Sequence, residues 1–323
     1  MDKSLANCPY RLHSNPFMQY RATHMLPLPL KALMQPELTQ IGRLPARASL
    51  TPFPSVEEAR IGGETRWRQS LDGVWAFQLA PRPEAAPKDW HLVDTSTDKW
   101  RDINVPGVWT CQNTGDYPHY TNMVMPWGCQ YPPDIPEDNP TGLYRRSFSL
   151  APDWAGRKTV LHIGGFESMA MVWCNGDFVG MGKDSRLPSE FDLSPHLKEG
   201  ENTLAIMVMR WCEATWIEDQ DHWYHGGLHR SLWLESRGGV HIADQLVIAD
   251  YDAQTGQGDL AVTVSALGQS DGYKVRGRLI DGAGSLAGEL AEAEIKQFKI
   301  DGNRLEKAAV SYTHLTLPTI YSV

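Results

Sequence analysis

Apolar residues recur with a period of two, or in short continuous runs, along much of this chain. Trp75, Phe77 and Leu79 fall on one face of such a segment, and Met169–Cys174 is a short apolar run. A period of two is the side-chain spacing of a β-strand with one buried face. Asn175-Gly176 follows Met169–Cys174, and both residues tolerate the positive φ angles of a type I′ turn. The pattern therefore predicts antiparallel strands joined by tight hairpins.

Helix signals are few. Ser55 followed by Glu58 forms a capping box, which predicts a short helix that begins at Val56. Ser194-Pro195 through Gly200 has the order of an N-cap, an N1 proline and a terminal glycine, which predicts one helical turn. Short strands with so little helix predict an all-β sandwich up to about Arg237.

A second β domain is predicted beyond Arg237-Gly-Gly239. The segments 241–250, 259–266 and 273–280 have the pattern of strands in an immunoglobulin-like sandwich. Fewer residues remain than the roughly 100 of a complete domain of this type, so we expect a truncated domain without its last strands. The predicted organisation is an irregular extension at 1–44, a sandwich at 45–238 and a partial immunoglobulin-like domain at 239–308.

The last residues differ in composition from the rest of the chain. Residues 309–323 resemble the peptide encoded when sequencing-adapter DNA is translated at the end of an assembled read. We expect this segment to be a non-native tail that does not continue a strand, and it is excluded from the fold prediction.

Composition and charge narrow the function classes. Twelve Trp, 28 Gly and 22 Pro are typical of a turn-rich β protein. The net charge of −9 argues against nucleic-acid binding. No apolar run approaches the roughly 18 residues of a membrane span, and no apolar segment near the start suits a signal peptide. Five cysteines without a Cys-x-x-Cys pair favour a reduced, cytoplasmic protein.

The segment 210–230 carries the densest chemistry in the sequence. Indole and phenol rings alternate there with Glu213, Glu218, Asp219 and Asp221. Carboxylates bind sugar hydroxyls or a hard cation, and indole faces stack on sugar rings, so a long connection of this kind suits a ligand site. The other interpretation makes the tryptophans core residues and the acids a solvated rim.

Three histidines in the same segment raise the alternative of a zinc site. His222, His225 and His229 have a spacing that suits metal ligands on a helix. Gly226-Gly227 interrupts any helix there, and the flanking residues have a strand pattern. The sequence therefore favours hydrogen bonding of these imidazoles within a loop over zinc.

Several ordered motifs resemble one enzyme family over about residues 36–300. They are Tyr120-Thr-Asn122, Asn139-Pro-Thr-Gly142, Met171-Val-Trp-Cys-Asn-Gly176, Gly182-Lys-Asp-Ser-Arg-Leu-Pro-Ser-Glu-Phe-Asp-Leu-Ser194 and Glu218-Asp-Gln-Asp-His-Trp223. In this order they are similar to the amino-terminal part of bacterial β-galactosidases, which belong to glycoside hydrolase family 2. The resemblance implies a jelly-roll, galactose-binding-like sandwich followed by an immunoglobulin-like domain and a TIM barrel.

The resemblance also implies a reaction and the location of its machinery. The family hydrolyses terminal β-D-galactosides such as lactose with retention, through two glutamates about 5 Å apart. Both glutamates and the ligands of an active-site Mg²⁺ belong to the barrel, and this chain lacks the strand–helix alternation of a barrel. We therefore expect no catalytic residue here and an inactive chain, although the intact protein is expected to form a homo-oligomer.

Two residues match positions that the family uses for substrate binding. Asn122 corresponds to an asparagine that contacts the galactosyl hydroxyls, and Asp221 to a carboxylate that binds both substrate and Na⁺. Asp219 is expected to brace the loop. Lys183 and Glu213 replace residues that support a peripheral magnesium site in some members, so that second metal is not predicted. No cofactor is expected to bind tightly to this chain alone.

Two other functions remain open at this stage. The chain could be a standalone carbohydrate-binding module that uses Asn122, Asp221 and nearby indoles. It could also be an oligomer-interface module without a ligand.

Overall fold

The computed structural model describes residue 26 and residues 29–121, 124–127, 131–218, 221–268, 272–294, 296–300 and 304–316. These residues fall into two compact units. The larger, called the sandwich unit, comprises residues up to Ala46 together with Glu64–Ser236. The second unit comprises Arg47–Gly63 and the residues from Arg237 onward.

Short strands make up most of the described sandwich unit. Its one short α-helix is α1 (Leu30–Leu33), and 3₁₀ turns occur at Pro83–Ala85, Trp109–Cys111, Pro152–Trp154, Ser194–His196 and Glu213–Trp216. The strands are β1 (Gln40–Ile41), β2 (Arg68–Ser70), β3 (Gly73–Ala80), β4 (Arg101–Val105), β5 (Gly107–Val108), β6 (His119–Tyr120), β7 (Thr141–Ser149), β8 (Lys158–Ile163), β9 (Met169–Cys174), β10 (Asp177–Lys183), β11 (Ser189–Asp192), β12 (Glu201–Met209), β13 (Trp223–Tyr224), β14 (Gly227–Leu228) and β15 (Leu232–Arg237).

Two antiparallel sheets enclose the main core. One has the order β1-β10-β9-β12-β7-β3-β4 and the other β11-β8-β15-β2. Alternate residues of each strand point into the space between them, as the period of two predicts. Trp75 and Phe77 of β3 are buried there together with Leu161 and Ile163 of β8. The predicted all-β sandwich is confirmed.

A second apolar core lies on the other face of the seven-stranded sheet. In β12, Leu204, Ile206 and Val208 belong to the main core, whereas Ala205, Met207 and Met209 belong to the second. A strand buried on both faces requires a continuous apolar run, which is what the sequence of β12 shows. Leu33 of α1 is fully buried in this second core. The described part of the predicted extension thus packs on the sheet.

Local turn and capping signals formed as predicted. Asn175 and Gly176 have φ angles of 53° and 89° and connect β9 to β10, whose ladder closes at Asp177 and Cys174. Ser55 caps helix α2 (Val56–Ile61) of the second unit by accepting from the backbone N–H of Glu58. Within the described part of the chain, no helix is long and apolar enough to cross a membrane.

Two short ladders join the long loops at one end of the sandwich unit. β5 pairs with β14, and β6 pairs with β13, so residues 107–120 lie against residues 223–228. Trp109 is fully buried between the backbones of two glycines. A Cβ on Gly226 would lie 2.2 Å from its indole, and a Cβ on Gly142 would lie 2.8 Å from it. The close approach therefore requires glycine at both positions.

A buried ion pair ties these loops to the sheet. Arg210 directly follows β12 and is 1 % exposed. Its Nη1 lies 2.5 Å from Oδ1 of Asp116, and its Nη2 donates to the carbonyl oxygens of Tyr117 and Tyr224. Trp109 Nε1 donates to the other Asp116 oxygen at 2.7 Å. Burial lowers the pKa of Arg210, and the Asp116 charge opposes that effect. The guanidinium therefore needs the Asp116 carboxylate to remain charged in this buried position.

The second unit also consists of antiparallel strands. They are β16 (His241–Asp252), β17 (Gln257–Leu267), β18 (Lys274–Ile280), β19 (Leu286–Glu294), β20 (Lys296–Ile300) and β21 (Arg304–Thr316). One sheet has the order β16-β17-β21-β20, and β18 pairs with β19. The three strands predicted here are confirmed.

The pattern-based expectation for residues 309 onward is partly wrong. Residues 309–316 continue β21, which pairs with β17 from Ala266 to Gln257. Backbone hydrogen bonds to a long neighbouring strand can hold a segment extended without a clear alternation of its own. The non-native origin of 309–323 stays a prediction.

We predict that Asp116→Asn destabilises the sandwich unit by about 3 kcal/mol, because it leaves the buried Arg210 charge without its counter-ion. All twelve tryptophans lie between residues 67 and 233, so tryptophan fluorescence during urea unfolding reports on this unit. Asp94→Asn, at an exposed position, is the matched control and should change stability by less than about 0.5 kcal/mol. Equal effects of the two substitutions would contradict the role given to the ion pair.

Candidate functional site

An exposed carboxylate stands beside two exposed aromatic rings at the loop end of the sandwich unit. Tyr120 Oη donates to Asp221 Oδ1 at 2.5 Å, although the residues are 101 positions apart. The ring of Trp223 lies 5.5 Å from that of Tyr120 at 40°. Tyr120 is 48 % and Trp223 54 % exposed. Among the described residues, Asp221 Oδ2 has no hydrogen-bond partner.

The β6–β13 ladder brings these residues together. Trp223 pairs with Tyr120, and Tyr224 pairs with His119. Directly paired residues share a face and successive residues alternate, so Tyr120 and Trp223 face one side and His119 and Tyr224 the other. Tyr224 is 2 % exposed, so the outward side carries the candidate site.

A packed aromatic cluster supports the ladder from below. Trp211 is buried, and its ring is nearly parallel to that of His119 at 6.3 Å. Tyr224 and Trp127 meet the same indole edge-on, at 5.6 and 4.9 Å. Trp211 and Tyr224 are thus core residues, whereas Trp223 is a surface ring. The segment 210–230 therefore contains both a core tryptophan, Trp211, and a tryptophan that is free to contact a ligand, Trp223.

The electrostatics of the site follow from the Tyr120–Asp221 hydrogen bond. This bond raises the pKa of Tyr120, because a phenolate could not donate to Asp221 and would face its negative charge. Burial and the neighbouring Arg210 charge lower the pKa of His119. Tyr120 therefore remains a protonated, neutral phenol on the exposed face near pH 7, beside Asp221. Such a surface can accept hydrogen bonds from sugar hydroxyls and pack against the C–H face of a sugar ring.

Charge-assisted contacts hold both sides of the loop that carries Asp221. Glu218 accepts from the backbone N–H and the hydroxyl of Ser185, at 3.0 and 2.5 Å. On the other side, Arg186 donates to His222 Nε2 at 3.1 Å and to Glu167 at 3.2 Å. Because His222 Nε2 accepts from Arg186, its Nδ1 carries the proton and donates to the Trp223 carbonyl oxygen.

The three histidines have separate partners. His222 contacts Arg186, His225 contacts the hydroxyl of Thr110 at 2.9 Å, and His229 contacts the Ser185 carbonyl oxygen at 3.0 Å. Burial lowers the pKa of both His225 and His229. Within the described ranges, no group of three His, Cys, Asp or Glu is placed to hold a metal.

Lys183 and Glu213 form a buried ion pair. Their charged atoms lie 2.5 Å apart, and the side chains are 3 % and 5 % exposed. Lys183 also donates to the Gln35 carbonyl oxygen at 3.1 Å. The ammonium group therefore neutralises Glu213 and links the segment before β1 to the loop after β12.

The residues that the resemblance placed at or near the sugar site have different outcomes. Asn122 and Asp219 lie outside the described residues. Asp221 stands exposed at the loop end, next to Trp223, one of the indoles of the segment 210–230, and next to Tyr120, which the sequence did not single out as a site residue. Tyr120 belongs to the same motif as Asn122, but its pairing with Trp223 joins two loops and carries no local sequence signal.

Known proteins match this chain in sequence. The family model of the sugar binding domain of glycosyl hydrolases family 2 matches residues 68–237. A β-galactosidase of Psychromonas ingrahamii is 39 % identical over 245 residues, which cover 76 % of this chain and 24 % of that protein. A β-galactosidase of Priestia megaterium is 39 % identical over 238 residues, covering 72 % and 23 %. The chain spans about a quarter of the length of these relatives.

Solved structures match the fold. A Bifidobacterium dentium β-glucuronidase complexed with coumarin-3-O-glucuronide superposes with a TM-score of 0.58 at 19 % identity, covering 78 % of this chain and 42 % of the other. A Bacteroides uniformis β-glucuronidase superposes with a TM-score of 0.60 at 18 % identity, covering 79 % and 28 %. At such low identities these likenesses concern the fold alone. Because the family model covers more than half of the chain, this protein belongs to glycosyl hydrolases family 2, with residues 68–237 as its sugar binding domain.

Proposed function

We propose that this chain is the non-catalytic, amino-terminal part of a β-galactosidase that hydrolyses terminal β-D-galactosides with retention. In this proposal it supplies one wall of the galactose site. The observation that carries it is the exposed Asp221 carboxylate, oriented by Tyr120 and flanked by Trp223. The names of the relatives at 39 % identity support the choice of galactoside.

The chemistry of this wall suits a neutral sugar. Asp221 Oδ1 is held by the Tyr120 hydroxyl, and Oδ2 can accept from a sugar hydroxyl. The ring of Trp223 offers an apolar face beside it. Asn122 is proposed to add an amide that both donates and accepts.

The described residues supply only part of a site for the Na⁺ that the family resemblance implies. Asp221 is a hard oxygen ligand of the kind that such a cation prefers. In the described part of the chain, Asp221 belongs to no group of three His, Cys, Asp or Glu residues placed to hold a metal ion. When bound, Na⁺ would contribute positive charge that attracts a sugar hydroxyl, and Asp221 would hold it together with ligands from outside the described residues.

The bond-breaking steps are proposed to lie in the part of the longer relatives that this chain does not span. The two glutamates and the Mg²⁺ ligands expected from the family belong there. Assembly into a homo-oligomer, action on a substrate such as lactose and a cytoplasmic location are likewise proposed for the longer protein. An interface module without a ligand is the weaker alternative, because Asp221, Tyr120 and Trp223 form a polar and aromatic surface that suits a sugar.

We predict that the purified 323-residue chain does not hydrolyse a chromogenic β-galactoside. The measurement is release of the chromophore against a buffer blank and against a complete β-galactosidase. Turnover that copurifies with the chain through two columns would contradict its non-catalytic role.

We predict that galactose binds this chain with a Kd above about 1 mM, and that Asp221→Asn weakens binding about tenfold, since a hydrogen bond to a charged group is lost. Saturation-transfer NMR titrations of galactose measure both values. Asp94→Asn is the matched control and should leave the titration unchanged. An equal affinity in the Asp221→Asn chain would remove this residue from the site, whereas submillimolar binding would favour a standalone carbohydrate-binding module.

We predict that Tyr120 ionises at a higher pH than a free tyrosine, whose pKa is about 10. The difference in phenolate absorbance between the parent chain and Tyr120→Phe isolates this residue, with N-acetyltyrosine amide as the reference and circular dichroism to follow folding. In the Asp221→Asn background the titration should shift back towards lower pH. If the two backgrounds titrate alike, Asp221 does not accept the hydrogen bond.

A further inference from the structure

A polar groove crosses the outer face of the seven-stranded sheet. Residues of β3, β4, β7 and β12 form its floor and walls, and Val93, Thr95 and Thr97 line it from above. Its volume is about 390 Å³, within the range of small-ligand sites. None of the residues assigned to the galactose wall lines it.

The strand register builds this groove. Ala76 pairs with Asp102 on one side and with Arg145 on the other, so the three side chains lie in one row on one face. Ser147 pairs with Thr203 in the next row of the same face. Alanine leaves a gap between the longer Asp102 and Arg145 side chains, and this gap is the floor of the groove.

Arg145 makes the groove a preformed feature. Its side chain is 5 % exposed. Nη1 donates to the carbonyl oxygen of Thr95 at 2.6 Å, and Nη2 donates to that of Leu92 at 2.7 Å, which fixes the overlying loop to the sheet. Arg145 Nε has no acceptor among the described residues. A fixed wall lowers the ordering cost of binding.

The groove carries more negative than positive charge. Asp102, Glu201 and Arg145 lie on the outer face, whereas Arg146 points to the other face and donates to the carbonyl oxygens of Leu71 and Asp72. The lining thus offers two carboxylates as acceptors and one guanidinium. The hydroxyls of Thr95, Thr97, Ser147 and Thr203 add groups that donate and accept. Val74 and Val93, which are 57 % and 37 % exposed, add apolar contact surface.

Many hydroxyls, two carboxylates against one guanidinium, and small apolar patches match a neutral polyhydroxylated ligand better than an anion. We propose that this groove is a second carbohydrate site, separate from the Asp221 loops, that binds a neutral mono- or disaccharide. Its occupancy requires no catalytic group and does not depend on the proposed galactosidase role.

Saturation-transfer NMR on the full 323-residue chain tests this site in the Asp221→Asn background, which weakens the other one. Maltose and lactose serve as neutral probes, and glucuronate and gluconate serve as anionic probes. We expect millimolar binding of at least one neutral sugar and no comparable signal from either anion. Absence of any sugar signal, or a stronger anion signal, would overturn the proposal.

Two variants locate the signal. Ala76→Leu fills the floor and should abolish the sugar signal. Ser147→Ala with Thr203→Val removes two paired hydroxyls without adding bulk and should weaken binding roughly tenfold. Ser149→Ala is the matched control, because Ser149 lies two residues further along the same face of β7, outside the groove lining, and should leave binding unchanged. A sugar signal that survives both groove variants would place binding elsewhere and refute the site.

Discussion

Arg210 is a full positive charge on a side chain that is almost completely buried, and the loop end of the sandwich unit depends on its neutralisation. Asp116 supplies the counter-charge, and two backbone carbonyls take further N–H groups. A charge removed from water is tolerable only when its partners are fixed in place. Because these partners belong to the loops around residues 116 and 224, the requirement holds both loops against the end of β12. Trp109 completes the arrangement by donating to Asp116 from between two glycine backbones.

The candidate galactose wall is a consequence of that anchoring. The loops lie close enough to form the β6–β13 ladder, and the ladder sorts aromatic residues into a buried side and an exposed side. Trp211 and Tyr224 are buried and the His119 ring stacks on Trp211, whereas Tyr120, Trp223 and Asp221 face solvent. A rigid aromatic base reduces the conformational entropy that the exposed residues would lose on binding a sugar. Two hydrogen-bonded pairs, Glu218–Ser185 and His222–Arg186, restrict the loop that carries Asp221.

The sandwich unit shows two ways of placing polar groups on a β scaffold. The Asp221 wall lies on loops, whose geometry depends on buried ion pairs and ring packing. The groove on the outer face of the sheet lies on paired strands, whose register alone brings Asp102, Ala76 and Arg145 into one row. The buried ion pair of Lys183 and Glu213 has a structural role instead, because it joins the segment before β1 to the loop after β12.

Much of the architecture follows from short-range pattern. The period of two in β3, the turn at Asn175-Gly176 and the cap at Ser55 depend on neighbouring residues, and each formed as the sequence predicts. The ordered motifs also identified the family. Only the tertiary structure decided which tryptophans of the segment 210–230 are buried and which three partners the histidines have. It also decided that residues 309–316 pair with β17 and that the Tyr120 hydroxyl reaches Asp221 across 101 positions. These features depend on contacts between segments far apart in the chain, and local propensity carries no information about such contacts.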